Sequence, residues 1–294
     1  YGDWFHIWNE LTQEPGHQAG YANMVGNVPK LTQYTLSGST PAVQLYVPLQ
    51  FWFCRNPGLA LPLIALQYHD VQVNMELRTF AECSNQIGTA ISAVSLAANL
   101  YVDYIYLDTD EKRRIMQSSH EYLIEQVQML NYEEIRTPVA TKIDLFLKHP
   151  VKSLYWVISN DQYTTTGSIN NNNQPLNYDA INTIDNKDTF KAMKLLFNGS
   201  DRFTERPAKY FRLTQPFQYF KCCPKKSIYS YTFALRPYDL QPSGSCNFSR
   251  IDNVKMNMSF NDANQITSSS KLKVYAVNYN VLRIMNGMSS VVFT

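Results

Sequence analysis

Residues 254–260 read VKMNMSF and residues 271–276 read KLKVYA. In the first stretch Val254, Met256, Met258 and Phe260 alternate with Lys255, Asn257 and Ser259. In the second, Leu272, Val274 and Ala276 alternate with Lys271, Lys273 and Tyr275. A period of two puts one set of side chains on a core and the other in water, the mark of a half-buried strand. Working back along the chain, the same reading gives strands at 121–129, 142–148, 152–158, 190–197, 209–220 and 227–235. At 142–148 Ile143, Leu145 and Leu147 face one way, and Phe146 interrupts the polar face. His149-Pro150 turns the chain. Residues 159–188 include Asn170 to Asn173 in a row and have no apolar period, so they read as a long exposed loop.

Closer to the start, Trp4, Ile7, Trp8 and Leu11 fall at helical spacing, with Asp3 placed to cap the helix and Pro15-Gly16 to end it. Strands are then expected at 42–54, at 71–78 and at 99–108. The middle one alternates without error, Val71, Val73, Met75 and Leu77 against Gln72, Asn74, Glu76 and Arg78. From Asp108 the pattern breaks into a short helix running to about Ser119, with Thr109 as its cap and Asp110 and Glu111 in its first turn. This helix is read as a boundary between two β regions. Many strands joined by turns, without helix–strand alternation, mean antiparallel sandwiches or barrels and exclude a parallel α/β fold.

Composition narrows the function. The chain has 294 residues, 45% hydrophobic and 17% charged, too apolar for a disordered protein. A net charge of +2, with basic runs no longer than Lys112-Arg113-Arg114, argues against a dedicated nucleic-acid binder. No apolar run approaches the ~20 residues that span a bilayer. The first residues, Tyr1-Gly2-Asp3-Trp4, do not resemble a signal peptide, and the absence of an initial Met suggests a processed chain or a fragment. Five cysteines, Cys54, Cys83, Cys222, Cys223 and Cys246, are too few and odd in number for a disulfide scaffold. They read as reduced thiols.

Chemistry is sparse. None of His6, His17, His69, His120 and His149 sits in a metal-ligand spacing. Cys222-Cys223 lacks a second ligand pair. There is no GxSxG, P-loop or GxGxxG motif. The carboxylate pairs Glu133-Glu134 and Asp108/Asp110 have the spacing of solvated or capping residues rather than of a glycosidase cleft. No catalytic residue, cofactor or metal is therefore assigned. Three sequons occur, at Asn198, Asn247 and Asn257, and read as chance matches, Asn257 because it lies mid-strand. A carbohydrate-binding β-sandwich is the alternative function, since the chain is rich in aromatics. Phe51, Trp52, Phe53, Tyr229, Tyr231 and Phe233 nevertheless fall inside expected strands, where core packing accounts for them.

Several long phrases resemble the major capsid proteins of large nucleocytoplasmic DNA viruses, of the iridovirus and phycodnavirus type. They are YVPLQFWFCRNPGLALPLIALQYHDVQV at 46–73, VDYIYLDTDEKRR at 102–114 running on to HEYLIEQVQ at 120–128, ALRPYDLQPSGSCNFSRIDN at 234–253 and YAVNYNVLRIMNGMSSVVF at 275–293. Together they cover most of the chain in the family's order. The resemblance implies an all-β double jelly roll with short helices in its connections. It implies a homotrimer of pseudo-hexagonal outline that tiles an icosahedral shell, and a place in the virion after assembly in the host cytoplasm. Its partners would be further copies of itself, neighbouring capsomers and minor capsid proteins, with the internal viral membrane reached through minor proteins and no direct contact to nucleic acid. On this reading 1–109 is the later part of a first jelly roll, 110–119 a linker helix and 120–294 the second jelly roll. About half a jelly roll's strands precede residue 110, so the reading expects further strands upstream, and the helix of Trp4 and Trp8 lying over part of 1–109.

Overall fold

The computed structural model describes residues 1–32, 42–78, 83, 96–135, 141–160, 163, 175–180, 188–260 and 270–293. The strands are β1 (His120–Ile135), β2 (Thr141–Asp144), β3 (Pro150–Ser159), β4 (Ala192–Phe197), β5 (Ser200–Asp201), β6 (Arg206–Pro207), β7 (Tyr229–Thr232), β8 (Cys246–Asn247), β9 (Val254–Ser259), β10 (Ser270–Met285) and β11 (Met288–Val291). They form two sheets. One runs β1-β10-β3-β7, with β8 on β3 and β11 on β10; the other runs β2-β9-β4-β5, with β6 on β4.

Among the described residues, setting aside the short additions β6, β8 and β11 leaves eight strands in chain order. The first pairs with the eighth, the third with the sixth, the second with the seventh and the fourth with the fifth. That is one long antiparallel hairpin rolled up on itself, the topology of a jelly roll. The alternation explains the roll. Met256 and Met258 of β9, Met193 and Leu195 of β4, and Leu154, Trp156 and Ile158 of β3 point between the sheets and are fully buried there. Asn198-Gly199 and Asn286-Gly287, all at positive φ, make the two-residue turns that join β4 to β5 and β10 to β11.

The chain divides into two compact units, Tyr1–Pro48 with Gln126–Tyr279, and Leu49–Glu125 with Asn280–Thr294. In the second unit the helix Thr109–Gln117 is capped by Asp108 and not by Thr109. The Asp108 carboxylate accepts from the Thr109 N–H at 2.7 Å, and Glu111 reaches back to the Asp108 N–H at 3.2 Å, a capping box.

Several expectations fail. Residues 42–51, 71–78 and 99–108 lie in no strand, and 52–54 form a single 3-10 turn. A strand needs a ladder partner, and among the described residues these segments have none. The 209–220 stretch is helical instead, a π-helical turn at Tyr210–Thr214 followed by Gln215–Tyr219. Of 142–148 the part up to Asp144 is strand, in β2, and the Leu145 N–H donates to the Val254 carbonyl at 2.9 Å; the expected inward face of Ile143, Leu145 and Leu147 is buried. The expected stop at Pro15-Gly16 is a start: Gln13 ends the helix α1 (Gly2–Thr12), and Pro15 opens α2 (Pro15–Val25) at its first position, where a missing N–H is harmless.

Candidate functional site: the two outer faces of the jelly roll

A jelly roll offers its surroundings two outer sheet faces and the loops at its ends. The outer face of β1-β10-β3-β7 is apolar. Tyr155 and Val157 of β3 stand beside Tyr275 and Val277 of β10, in ladder register Tyr275↔Tyr155. Helix α1 lies on them, burying Trp4, Ile7, Trp8 and Leu11. The Trp4 ring meets Tyr155 edge-on at 5.1 Å between centroids and Tyr275 at 5.6 Å. Each such side chain removed from water contributes roughly 1.5–3 kcal/mol as an upper estimate.

The helix of Trp4 and Trp8 therefore covers the 120–279 roll, where a cover over part of 1–109 was expected. The physical signal was present. β3 and β10 read as nearly continuous apolar runs at 154–158 and 274–277, the pattern of strands buried on both faces. Lys273, opposite Val157 in the ladder, lies on the same covered face. Its parity suggested a wet face, yet it is buried, and its Nζ donates to Asp3 Oδ2 at 2.6 Å. Asp3 is thus an anchor for the helix rather than its cap; the cap position is Tyr1, which makes no side-chain cap bond.

The outer face of β2-β9-β4-β5 is polar. Lys255 pairs with Asp144 at 3.3 Å and Lys194 with Asp201 at 3.0 Å, both partly exposed and so weak contributors to stability. Asn257 stands between Lys142 and Lys194 in the ladder and is partly exposed. From its tight turn the Asn198 side chain accepts from the Asn253 N–H, in the segment before β9, at 3.0 Å, and Asn247 accepts from the Ser249 N–H at 3.0 Å.

At one end of the roll a polar cluster holds the described ends of the 159–188 segment, which were expected to be exposed. Arg212 Nε donates to Asp188 Oδ1 at 2.6 Å, and the Tyr229 hydroxyl donates to the same oxygen at 3.4 Å. Burial beside the Asp188 charge pushes the Tyr229 phenol far above its ordinary value. Ser227 donates from both N–H and Oγ to Asp179, and Asn160 donates to the Asp179 carbonyl at 3.0 Å. Asn160, Tyr178, Ala180 and Asp188 are buried as a result. Asn170 to Asn173 lie outside the described residues.

Among the described residues no group of three or more His, Cys, Asp or Glu side chains could hold a metal ion. Cys222 Sγ accepts from Gln18 Nε2 at 3.0 Å, and Cys223 faces the Leu213 carbonyl. His69 Nδ1 accepts from the Ser289 N–H at 3.0 Å. Of the aromatics weighed for sugar stacking, Tyr229 is fully buried, Tyr231 and Phe233 are half-buried, and Phe51 stacks on Phe53 at 5.1 Å.

Two family models match. Residues 111–290 match that of the large eukaryotic DNA virus major capsid protein, and residues 1–108 match that of the major capsid protein N-terminus. The chain belongs to this family of viral major capsid proteins. It is similar to the major capsid protein of Pyramimonas orientalis virus, 42% identical over all of this chain and 72% of that protein. It is also similar to that of Paramecium bursaria Chlorella virus 1, 37% identical over all of this chain and 75% of the relative. Among solved structures it superposes on the quasi-atomic model of the PBCV-1 virus capsid with a TM-score of 0.74, at 32% identity, covering all of this chain and 79% of that one. The fold of this major capsid protein is accordingly the double jelly roll, mostly β with short helices. It is a structural protein of a DNA virus capsid and not an enzyme.

Proposed function

We propose that the chain builds trimeric, pseudo-hexagonal capsomers that tile the icosahedral shell of a large double-stranded DNA virus. The observation that carries this reading is the likeness to a solved capsid over the whole chain, which includes a jelly roll of two sheets. Two sheets packed over a shared core behave as a stiff block whose loops are free to contact other subunits. On this proposal the chain divides into 1–109, a linker helix at 110–119, and 120–294. The subunits meet further copies, neighbouring capsomers and minor capsid proteins, and the internal membrane is reached through those minor proteins, with assembly in the host cytoplasm and no direct contact to nucleic acid. Asn198, Asn247 and Asn257 carry no glycan on this reading. The Asn198 and Asn247 side-chain oxygens accept from the Asn253 and Ser249 N–H groups, and Asn257 lies within a paired strand. Interfaces of obligate trimers bury more than ~2,000 Å², so the particle should survive dilution. Sedimentation of the purified protein tests the proposal. A discrete trimer supports it, whereas a monomer retained on a sugar column would favour the carbohydrate-binding alternative.

A further inference from the structure

Helix α1 is held on the jelly roll by its apolar stripe and by polar contacts. Asp3 pairs with Lys273, and the Cys222 N–H donates to the Leu11 carbonyl at 3.2 Å. A further contact is made by His6, whose Nε2 lies 2.9 Å from Lys226 Nζ. An ammonium group can only donate, so Nε2 must accept, and an accepting ring nitrogen carries no proton. The docked geometry thus requires His6 in its neutral form.

The charges around the imidazole reinforce that requirement. From its own helix come Asp3, already engaged by Lys273, and Glu10, whose charge acts on Lys226. From the segment before β7 comes Lys226, held below its ordinary value by burial and supported by Glu10 and Asp179. From the 175–180 stretch come Asp179 and the ring of Tyr178, 6.1 Å from the imidazole. A proton on His6 would face the Lys226 ammonium directly, in a setting where protein has replaced most of the water around the ring.

We propose that α1 is an acid-sensitive strap: protonation of His6 and its seat against Lys226 exclude one another, so acidification loosens α1 and uncovers the apolar face of Tyr155, Val157, Tyr275 and Val277. Burial, followed by the Lys226 charge, lowers the docked imidazole from 6.5 to about 3, with Asp3 opposing. The docked state therefore binds fewer protons than the released one, and docking weakens as pH falls below 6.5. Between about pH 8 and about pH 5 the docking constant falls roughly 30-fold.

Hydrogen exchange of the 294-residue chain, corrected for intrinsic rates, reads this directly in peptides covering Gly2–Thr12 and the central part of β10. The expected result is a roughly 30-fold loss of α1 protection at about pH 5, reduced to less than about threefold in His6→Gln. Glutamine can still accept from Lys226 but does not titrate in this range. His17, His69, His120 and His149 remain in the variant and control for other titrations. Equal losses in both proteins, or none in the wild type, would overturn the proposal. If His6→Gln fails to dock even at about pH 8, the His6 imidazole is titrated in the wild type by NMR. A value well below those of the other histidines supports the strap, and a value near that of a free imidazole rejects it.

Discussion

Val71, Val73, Met75 and Leu77 alternate with polar neighbours as regularly as Val254, Met256 and Met258 do. Met256 and Met258 are fully buried in a six-residue strand laddered on both sides, to β2 and to β4. Val71 and Leu77 are 49% and 60% exposed, in no strand at all. The same contrast separates Tyr104 and Ile105, both exposed, from Tyr155 and Ile158, both fully buried. Local pattern is equal in the two regions, so it cannot be the cause of the difference. A strand is stabilised by the ladder and by the face it covers, and both belong to the partner.

Hydrogen exchange should show the largest effect. Amides of 71–78 are expected to exchange near the rate of a free peptide, and those at the centre of β3 and β9 roughly ten-thousandfold more slowly or beyond, following global unfolding. Comparable protection in the two regions would break the comparison. Next in size is the cost of truncation. Trp156, buried between Phe211 and Tyr229, is expected to cost about 3–5 kcal/mol when replaced by Ala, measured by urea unfolding. Met75→Ala is expected to stay within about 0.5 kcal/mol, and a loss several times larger would mean that Met75 is covered in solution.

The ion pairs extend the contrast to charge. Asp3→Asn leaves the buried Lys273 facing a neutral partner and should weaken the seating of α1 by about 3 kcal/mol. Asp3→Leu combined with Lys273→Met should recover most of that loss, because no uncompensated charge remains. A double variant as weak as the single one would show that the pair itself is worth more than its desolvation. The smallest effect belongs to Asp144→Asn, which removes the partly exposed partner of Lys255. It should change stability by about 0.5 kcal/mol or less, and less again in high salt.

How much of this was legible depends on where each residue's partner sits. The core positions of β9 and β3 were readable because alternation names the inward face. The helix of Trp4 and Trp8 was readable from its spacing, but its destination was not, since an amphipathic stripe says that it must be covered and not by what. Lys273 and Asp3 were misassigned for that reason: each was judged by its neighbours in sequence, and its partner lies 270 residues away. The 209–220 stretch was read as a strand, yet it is helical and packs beside β7. The anchoring of Asp179 and Asp188 left no sequence signal beyond their being charged residues in a polar stretch.

By itself, the sequence determined an antiparallel β architecture, the inward face of its clearest strands, the opening helix, and membership in a capsid family through long phrases in a fixed order. Those properties are local or are matched position by position, so they survive without coordinates. The tertiary structure alone decided which alternating segments became strands, which sheet face received α1, and which charges were buried as pairs. Each of these depends on contacts between residues far apart in the chain, and a ladder, a covered face or a buried ion pair exists only when both sides of it are present.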